Sequence, residues 1–248
     1  MDKIWLKSYP PSVPHDINPA QYRSVSHMLE ESFKKNAARP FSVCMDRWMS
    51  YGQLDDLSTA MGAWLQSQGL EPGARVAIML PNVPQFAVTM AGILRAGYTC
   101  VNVNPLYTAR ELEHQLSDSG AKAIVIIENF ASTLQQCVAR TPITTVVVAS
   151  MGDLLGAMYG RWITFAVRHL AKMVPAYEIP LTNGRKVVPF TEVMSKGASL
   201  QLKPSTANLD STAFLQYTGG TTGLSKGAVL THRNIVAATL QAEAWFTP

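Results

Sequence analysis

RVAIML at residues 75–80 is the first of four short apolar runs that decide the fold, followed by TCVNV at 99–103, AKAIVII at 121–127 and TTVVVA at 144–149. Each is rich in β-branched residues and apolar on successive positions, which suits a strand buried on both faces and not one with a wet side. Between them, helical spacing is expected over 83–95, 109–117 and 130–138. Strands that alternate with helices predict an α/β fold, a layered and mostly parallel sheet flanked by helices. In such sheets ligands bind at the carboxyl ends of the strands.

Outward toward the amino end, residues 24–39 carry Val25, Met28, Leu29 and Phe33 at helical spacing until Pro40 stops the helix. A hairpin is expected over 41–45 and 48–51. A second helix over 53–68 repeats Leu54, Leu57, Met61 and Leu65 and ends at Gly69, which suits a left-handed cap. Residues 1–23, with Trp5, Tyr9, Pro10, Pro11, Pro14 and Pro19, form an extended arm whose order depends on packing against the rest. Thr108 is expected to cap the helix that carries Glu111 and Glu113, and these two carboxylates, on different helical faces, make no catalytic pair.

Outward toward the carboxyl end, residues 153–175 are expected to be one basic amphipathic helix. Leu155, Tyr159, Trp162, Ile163, Val167 and Leu170 share a sector, and Arg161, Arg168, His169 and Lys172 lie elsewhere. Two roles stay open for it: packing on its own core, or lying on an anionic membrane surface with Trp162 and Phe165 inserted. Residues 176–210 read as a connector with one short helix over 191–196. The domain division expected is an arm (1–23), a first α/β subdomain (24–200), and the start of a second (201–248).

Next comes FLQYTGGTTGLSKGAVLTHRN at 214–234, a strand expected over 211–217, then a loop dense in glycine and threonine that closes on a lysine. Gly219, Gly220, Gly223 and Gly227 would let backbone N–H groups converge on an anion at positive φ. Thr218, Thr221, Thr222 and Ser225 add hydroxyl donors, and Lys226 adds a mobile charge suited to phosphate. A nucleotide loop of the Walker type needs Gly-Lys-Ser/Thr. Here Lys226 follows Ser225 and precedes Gly227, so that pattern fails. A strand over 228–231 and a helix over 234–244 complete the chain.

Composition excludes several classes. With 248 residues, 47% hydrophobic and 15% charged, the chain is globular. A formal charge of +4 without a basic stripe argues against nucleic acid. Cys44, Cys100 and Cys137 are widely spaced and suit reduced thiols of the cytosol. The histidines (His15, His27, His114, His169, His232) form no ligand pair and are expected on the surface or as caps. No secretory signal and no apolar run of membrane-spanning length is apparent.

YTGGTTGLSKG, Tyr217 to Gly227, resembles the phosphate-binding signature of the adenylate-forming superfamily, which includes acyl-CoA synthetases and luciferases. Many members have Ser where this chain has Gly219, and Pro where it has Ser225. VNVNPLYTARELEHQLSDSG at 101–120 and WLKSYPPSVPHDINP at 5–19 resemble bacterial long-chain fatty acyl-CoA synthetases. The resemblance implies ATP-dependent activation of long-chain fatty acids through an acyl-adenylate, in fatty-acid catabolism. Tyr217, Thr218, Gly219, Gly220, Thr221, Thr222, Gly223, Leu224, Ser225, Lys226 and Gly227 would form the phosphate site, with Lys226 and Thr222 catalytic. ATP, Mg²⁺ and coenzyme A are the implied cofactors and co-substrates, with long-chain fatty acid as substrate and a homodimer as a further partner state. The location implied is cytoplasmic, peripheral at the inner face of the membrane. The magnesium-binding glutamate, the ribose-binding aspartate and the lysine of a mobile C-terminal domain are expected beyond Pro248, and these residues alone are expected to be inactive. The alternatives are another adenylate-forming ligase, which loads a carrier or oxidises its adenylate as luciferases do, and a non-catalytic lipid-binding module.

Overall fold

The four apolar runs lie side by side in one sheet. The structure is a computed structural model that describes residues 3–219 and 225–246, with the side chain of residue 183 excepted. In chain order it contains α1 (Val25–Asn36), β1 (Pro40–Cys44), β2 (Arg47–Ser50), α2 (Tyr51–Ser67), β3 (Arg75–Met79), α3 (Pro84–Arg95), β4 (Thr99–Asn102), α4 (Ala109–Ser119) and β5 (Ala123–Ile127). There follow α5 (Ala131–Cys137), β6 (Thr145–Ala149), α6 (Ala157–Phe165), β7 (Lys186–Pro189), α7 (Phe190–Gly197), β8 (Thr212–Thr218), β9 (Lys226–Thr231) and α8 (His232–Phe246).

The main sheet has the order β7-β6-β5-β3-β4-β8-β9, and β1 and β2 form a separate antiparallel pair. The pairings from β7 across to β8 are parallel, and β9 folds back antiparallel on β8. Successive residues of a strand point to opposite faces. Val76, Ile78 and Leu80 therefore pack with Phe33 of α1, Met61 of α2, Leu94 of α3 and Phe190 of α7. Ala77 and Met79 pack instead with Leu112 and Leu116 of α4 and Leu134 of α5. Both faces are covered, which is why the strands had to be apolar at consecutive positions.

Local signals end the helices where expected. Ser50 and Gln53 form a reciprocal capping box on α2, and Thr108 and Glu111 form one on α4. Gly69 takes φ 73° behind α2. The amino-terminal arm finds its support on α8, where the Tyr9 ring meets Trp245 edge-on at 5.2 Å. His232, buried at the start of α8, accepts from the backbone N–H of Val25 through Nδ1 at 3.0 Å and so caps α1 from across the chain. Burial holds its imidazole below the ordinary value, which keeps that acceptor nitrogen unprotonated.

Two expectations change. The connector over 176–210 contains β7, a parallel edge strand whose Val187 pairs with Val146 of β6. The helix expected over 153–175 is shorter, because Leu154 (φ 67°) and Gly156 (φ 90°) turn the chain before Ala157. After Phe165 it runs on as a π-helical turn, Ala166–Leu170, and ends before Lys172 at φ 52°. The segment after residue 200 adds β8 and β9 to the same sheet as the strands before it. Among the described residues, no helix is long and apolar enough to cross a membrane.

Candidate functional site

The carboxyl ends of β4 and β8 lie next to each other, with Asn102 in register with Gln216. The Asn102 amide donates to Gln216 Oε1 at 3.0 Å, and Gln115 of α4 donates to the Asn102 carbonyl at 2.7 Å. From here the chain leaves in opposite senses. After β4 it passes through α4 to β5 on the far side of β3, whereas after β8 it turns back into β9. Divergent exits open a crevice at the end of a sheet, which is where ligands bind in folds of this kind.

At this end β8 leads toward the glycine loop and β9 leads away from it. Thr218 of β8 pairs with Lys226 of β9, and Tyr217 pairs with Gly227. Tyr217 is buried, and its hydroxyl donates to the Asp118 carboxylate of α4. Burial first, and then the hydrogen bond to Asp118 and its charge, raise this phenol well above its ordinary range, so it remains a donor. On the β9 side, His114 Nε2 lies 3.1 Å from the carbonyl oxygen of Ser225. An acceptor there requires Nε2 to carry the proton. Thr218, Gly219 and Lys226 are exposed and Ser225 is half-buried. Gly220, Thr221, Thr222, Gly223 and Leu224 lie outside the described residues.

The reasons for two glycines differ from those read in the sequence. Neither Gly219 nor Gly227 has positive φ. Gly227 is required because a Cβ there would come 2.9 Å from Cε2 of the Tyr217 ring, which crosses the strand above it. A Cβ at Gly219 would meet nothing within 4 Å among the described residues. Exposure of Lys226 and its lack of an ion pair with the described residues leave its charge directed to solvent at the loop's exit.

Sequence reading missed His114, Asp118, Asn102, Gln115 and Gln216. The available signal was the i, i+4 spacing of His114 and Asp118, which puts both on one side of α4. Among the described residues, no three His, Cys, Asp or Glu side chains could hold a metal ion.

Toward the other edge of the sheet, beyond β6, α6 exposes Met158, Trp162 and Phe165. The basic residues of this segment are not equivalent. Arg168 donates through Nε to Glu128 at 2.8 Å and through Nη2 to Ser150 Oγ at 3.2 Å, so its charge is bound to a carboxylate only 1% exposed. Arg161 and Lys172 are exposed. Asp153, beside this pair, is pushed up to about 6, chiefly by burial and partly offset by the N–H of Ser150.

This geometry agrees with similarity to known proteins. Over its full length the chain is 47% identical to a long-chain-fatty-acid–CoA ligase of Yersinia pestis, of which it covers 43%. Over 98% of its length it is 30% identical to a protein of the same description from Bacillus subtilis (strain 168), of which it covers 42%. The chain thus spans less than half of these relatives. In fold it resembles a long-chain-fatty-acid-CoA ligase from Archaeoglobus fulgidus, with a TM-score of 0.69 at 22% identity over 95% of this chain and 42% of that one. An anthranilate CoA ligase in complex with anthranoyl-AMP gives a TM-score of 0.67 at 18% identity over 88% and 37%. Residues 29–248 match the family described as AMP-binding enzyme. With that match, the sheet, the strand–loop–strand at 217–227 and the full-length identity lead to one conclusion: the chain belongs to the AMP-binding enzyme family.

Proposed function

We propose that this chain carries the phosphate-holding part of a ligase that activates long-chain fatty acids to acyl-CoA at the cost of ATP. The carrying observation is the loop at the carboxyl end of β8, closed by the Thr218–Lys226 pair with Lys226 exposed at its exit. The identity to long-chain-fatty-acid–CoA ligases supports the substrate class.

The chemistry explains what such a loop does. A carboxylate resists attack by a thiol because its leaving group is oxide. When a carboxylate oxygen attacks the α-phosphorus of ATP, the bond to the bridging oxygen breaks and pyrophosphate leaves, giving an acyl-adenylate. The thiolate of coenzyme A then attacks the acyl carbon and AMP departs. Residues 219–226 hold the β- and γ-phosphates through backbone N–H and hydroxyl groups, and Lys226 offsets charge on the departing pyrophosphate. A divalent cation such as Mg²⁺ would screen the triphosphate when bound. The surface of α6 and the turn after it support a location at the membrane, with Trp162 and Phe165 toward lipid and Arg161 and Lys172 toward anionic headgroups.

ATP–pyrophosphate exchange by the full natural polypeptide tests the proposal. Exchange should require a long-chain fatty acid but not coenzyme A, and addition of coenzyme A should yield the thioester. Exchange indifferent to fatty acid, or acyl transfer to a carrier protein in place of coenzyme A, would replace this function with another.

A further inference from the structure

We infer that His114 and Asp118 of α4 are positioning residues that hold the two legs of the phosphate loop in register, His114 through the Ser225 carbonyl and Asp118 through the Tyr217 hydroxyl. This deepens the proposed function and rests on the loop's assignment to ATP phosphates.

The residues of α4 divide their work by direction. Leu112 and Leu116 are fully buried against the sheet. Gln115 ties the helix to the end of β4 through the Asn102 carbonyl. Glu113 points elsewhere, to Arg140, which it meets through two hydrogen bonds of 2.9 and 2.6 Å. The amino end is fixed by the Thr108–Glu111 capping box. The helix is thus anchored at its start, on its buried face and on one flank before the loop is considered. His114 and Asp118, one turn apart, are what it offers to the β8–β9 hairpin.

Their contacts fall on the two chain segments that bracket the loop. Tyr217 precedes Thr218 at the end of β8, and Ser225 precedes Lys226 at the start of β9. Between these points, Tyr217 lies across Gly227 closely enough that a Cβ would be displaced. A carbonyl held at Ser225 fixes the peptide plane from which Lys226 departs. A phenol held at Asp118 fixes the strand from which Gly219 departs. Both contacts stay away from the exposed side chains of Thr218 and Lys226, so α4 can set the loop's geometry without touching a phosphate. Catalytic geometry is sensitive to such support, because a displacement of about 1 Å can cost roughly a hundredfold in rate.

The test compares His114→Ala, His114→Gln, Tyr217→Phe and Glu113→Ala in the full natural polypeptide, by ATP–pyrophosphate exchange and by direct binding of ATP. His114→Ala should raise the KM for ATP and slow exchange roughly tenfold to a hundredfold, with the KM for fatty acid within about twofold of wild type. His114→Gln, whose Nε2 can donate from nearly the same place, should recover most of the loss. Tyr217→Phe should shift the same parameters in the same direction. Glu113→Ala loosens the helix on the flank away from the loop and should leave both KM values near wild type. Wild-type kinetics in His114→Ala and Tyr217→Phe would overturn the inference. So would equal losses in all four variants that track a lowered melting temperature. If the wild type binds ATP but exchanges nothing, the ligase assignment fails while weakened ATP binding by His114→Ala still supports the positioning role. If wild-type ATP binding is absent as well, both fall.

Discussion

The two sides of the sheet use the same kinds of residue for opposite purposes. On the β8–β9 side, a carboxylate (Asp118) holds a neutral phenol, an imidazole holds a carbonyl, and the nearby cation, Lys226, has no ion pair among the described residues. On the β5–β6 side, a buried carboxylate (Glu128) binds the cation, Arg168, directly. One side is held by hydrogen bonds without an ion pair among the described residues and leaves its positive charge exposed. The other consumes its positive charge in construction. A basic residue near the end of a strand can therefore be reactive or structural, and only its partner across the chain decides which.

The comparison breaks most sharply at Lys226. Lys226→Ala should lower ATP–pyrophosphate exchange by roughly 10² to 10³, the cost of removing one well-placed electrostatic donor, with fatty-acid affinity unchanged. Its exposure predicts almost no loss of stability. An unchanged exchange rate would place Lys226 among ordinary surface lysines and remove the contrast.

Arg168→Met should show the reverse pattern, a loss of stability with little direct effect on the reaction. Removing one partner of a buried ion pair costs about 3 to 5 kcal/mol. Arg168 itself is 45% exposed, so about 3 kcal/mol, the lower end, is expected. The urea unfolding transition measures it, and a midpoint equal to wild type would show that Glu128 is satisfied without Arg168.

How much of this is legible in the sequence depends on how local each signal is. The strands β3 to β6 are legible because burial on both faces leaves a continuous apolar run, and the caps of α2 and α4 because Ser50–Gln53 and Thr108–Glu111 are three residues apart. β7 is not, because KVVP is short and becomes a strand only by adding to the edge of β6. Periodicity draws the helix over 153–175 too long because Leu154 and Lys172 carry no turn signal, yet both adopt positive φ. The glycine loop is read from its own contiguous residues, but its support is not legible there. His114 and Ser225 are 111 residues apart, and Asp118 and Tyr217 are 99 apart. Nothing local encodes either contact, and Gly227 owes its place to a ring on the opposite strand.

Asp153 sharpens the account of the structural side through pH. Its carboxyl rises from 3.8 to about 6, first because burial disfavours the charged form. The folded chain then holds this proton more tightly than the unfolded one. The associated stability is fully present below about pH 4 and is lost as pH rises toward about 6. A shift of this size, discounted for partial exposure, corresponds to about 1 to 2 kcal/mol. Asp153→Asn keeps an acceptor for the N–H of Ser150 and has no charge to bury. Its stability relative to wild type should be near zero at pH 4 and about 1 to 2 kcal/mol greater above about pH 6.5. A difference that is constant with pH would assign the proton to another group.

The smallest effect concerns the outer surface of α6, where exposed cations can be compared with the bound one. If Trp162 and Arg161 face lipid, flotation with vesicles that contain anionic phospholipid should retain the full natural polypeptide at low salt and release it at high salt. One basic residue near such a surface contributes about 1 kcal/mol, so Arg161→Gln should weaken partitioning roughly fivefold. Trp162→Ala should weaken it on anionic and neutral vesicles alike, because the indole acts through burial at the interface and not through charge. Arg168 should add nothing to this attraction, since Glu128 already neutralises it. Its loss is therefore expected to appear in unfolding and not in flotation, provided the variant is assayed where it remains folded. Binding that ignores salt, Arg161→Gln and Trp162→Ala would remove α6 from the membrane and leave its exposed side chains to some other contact.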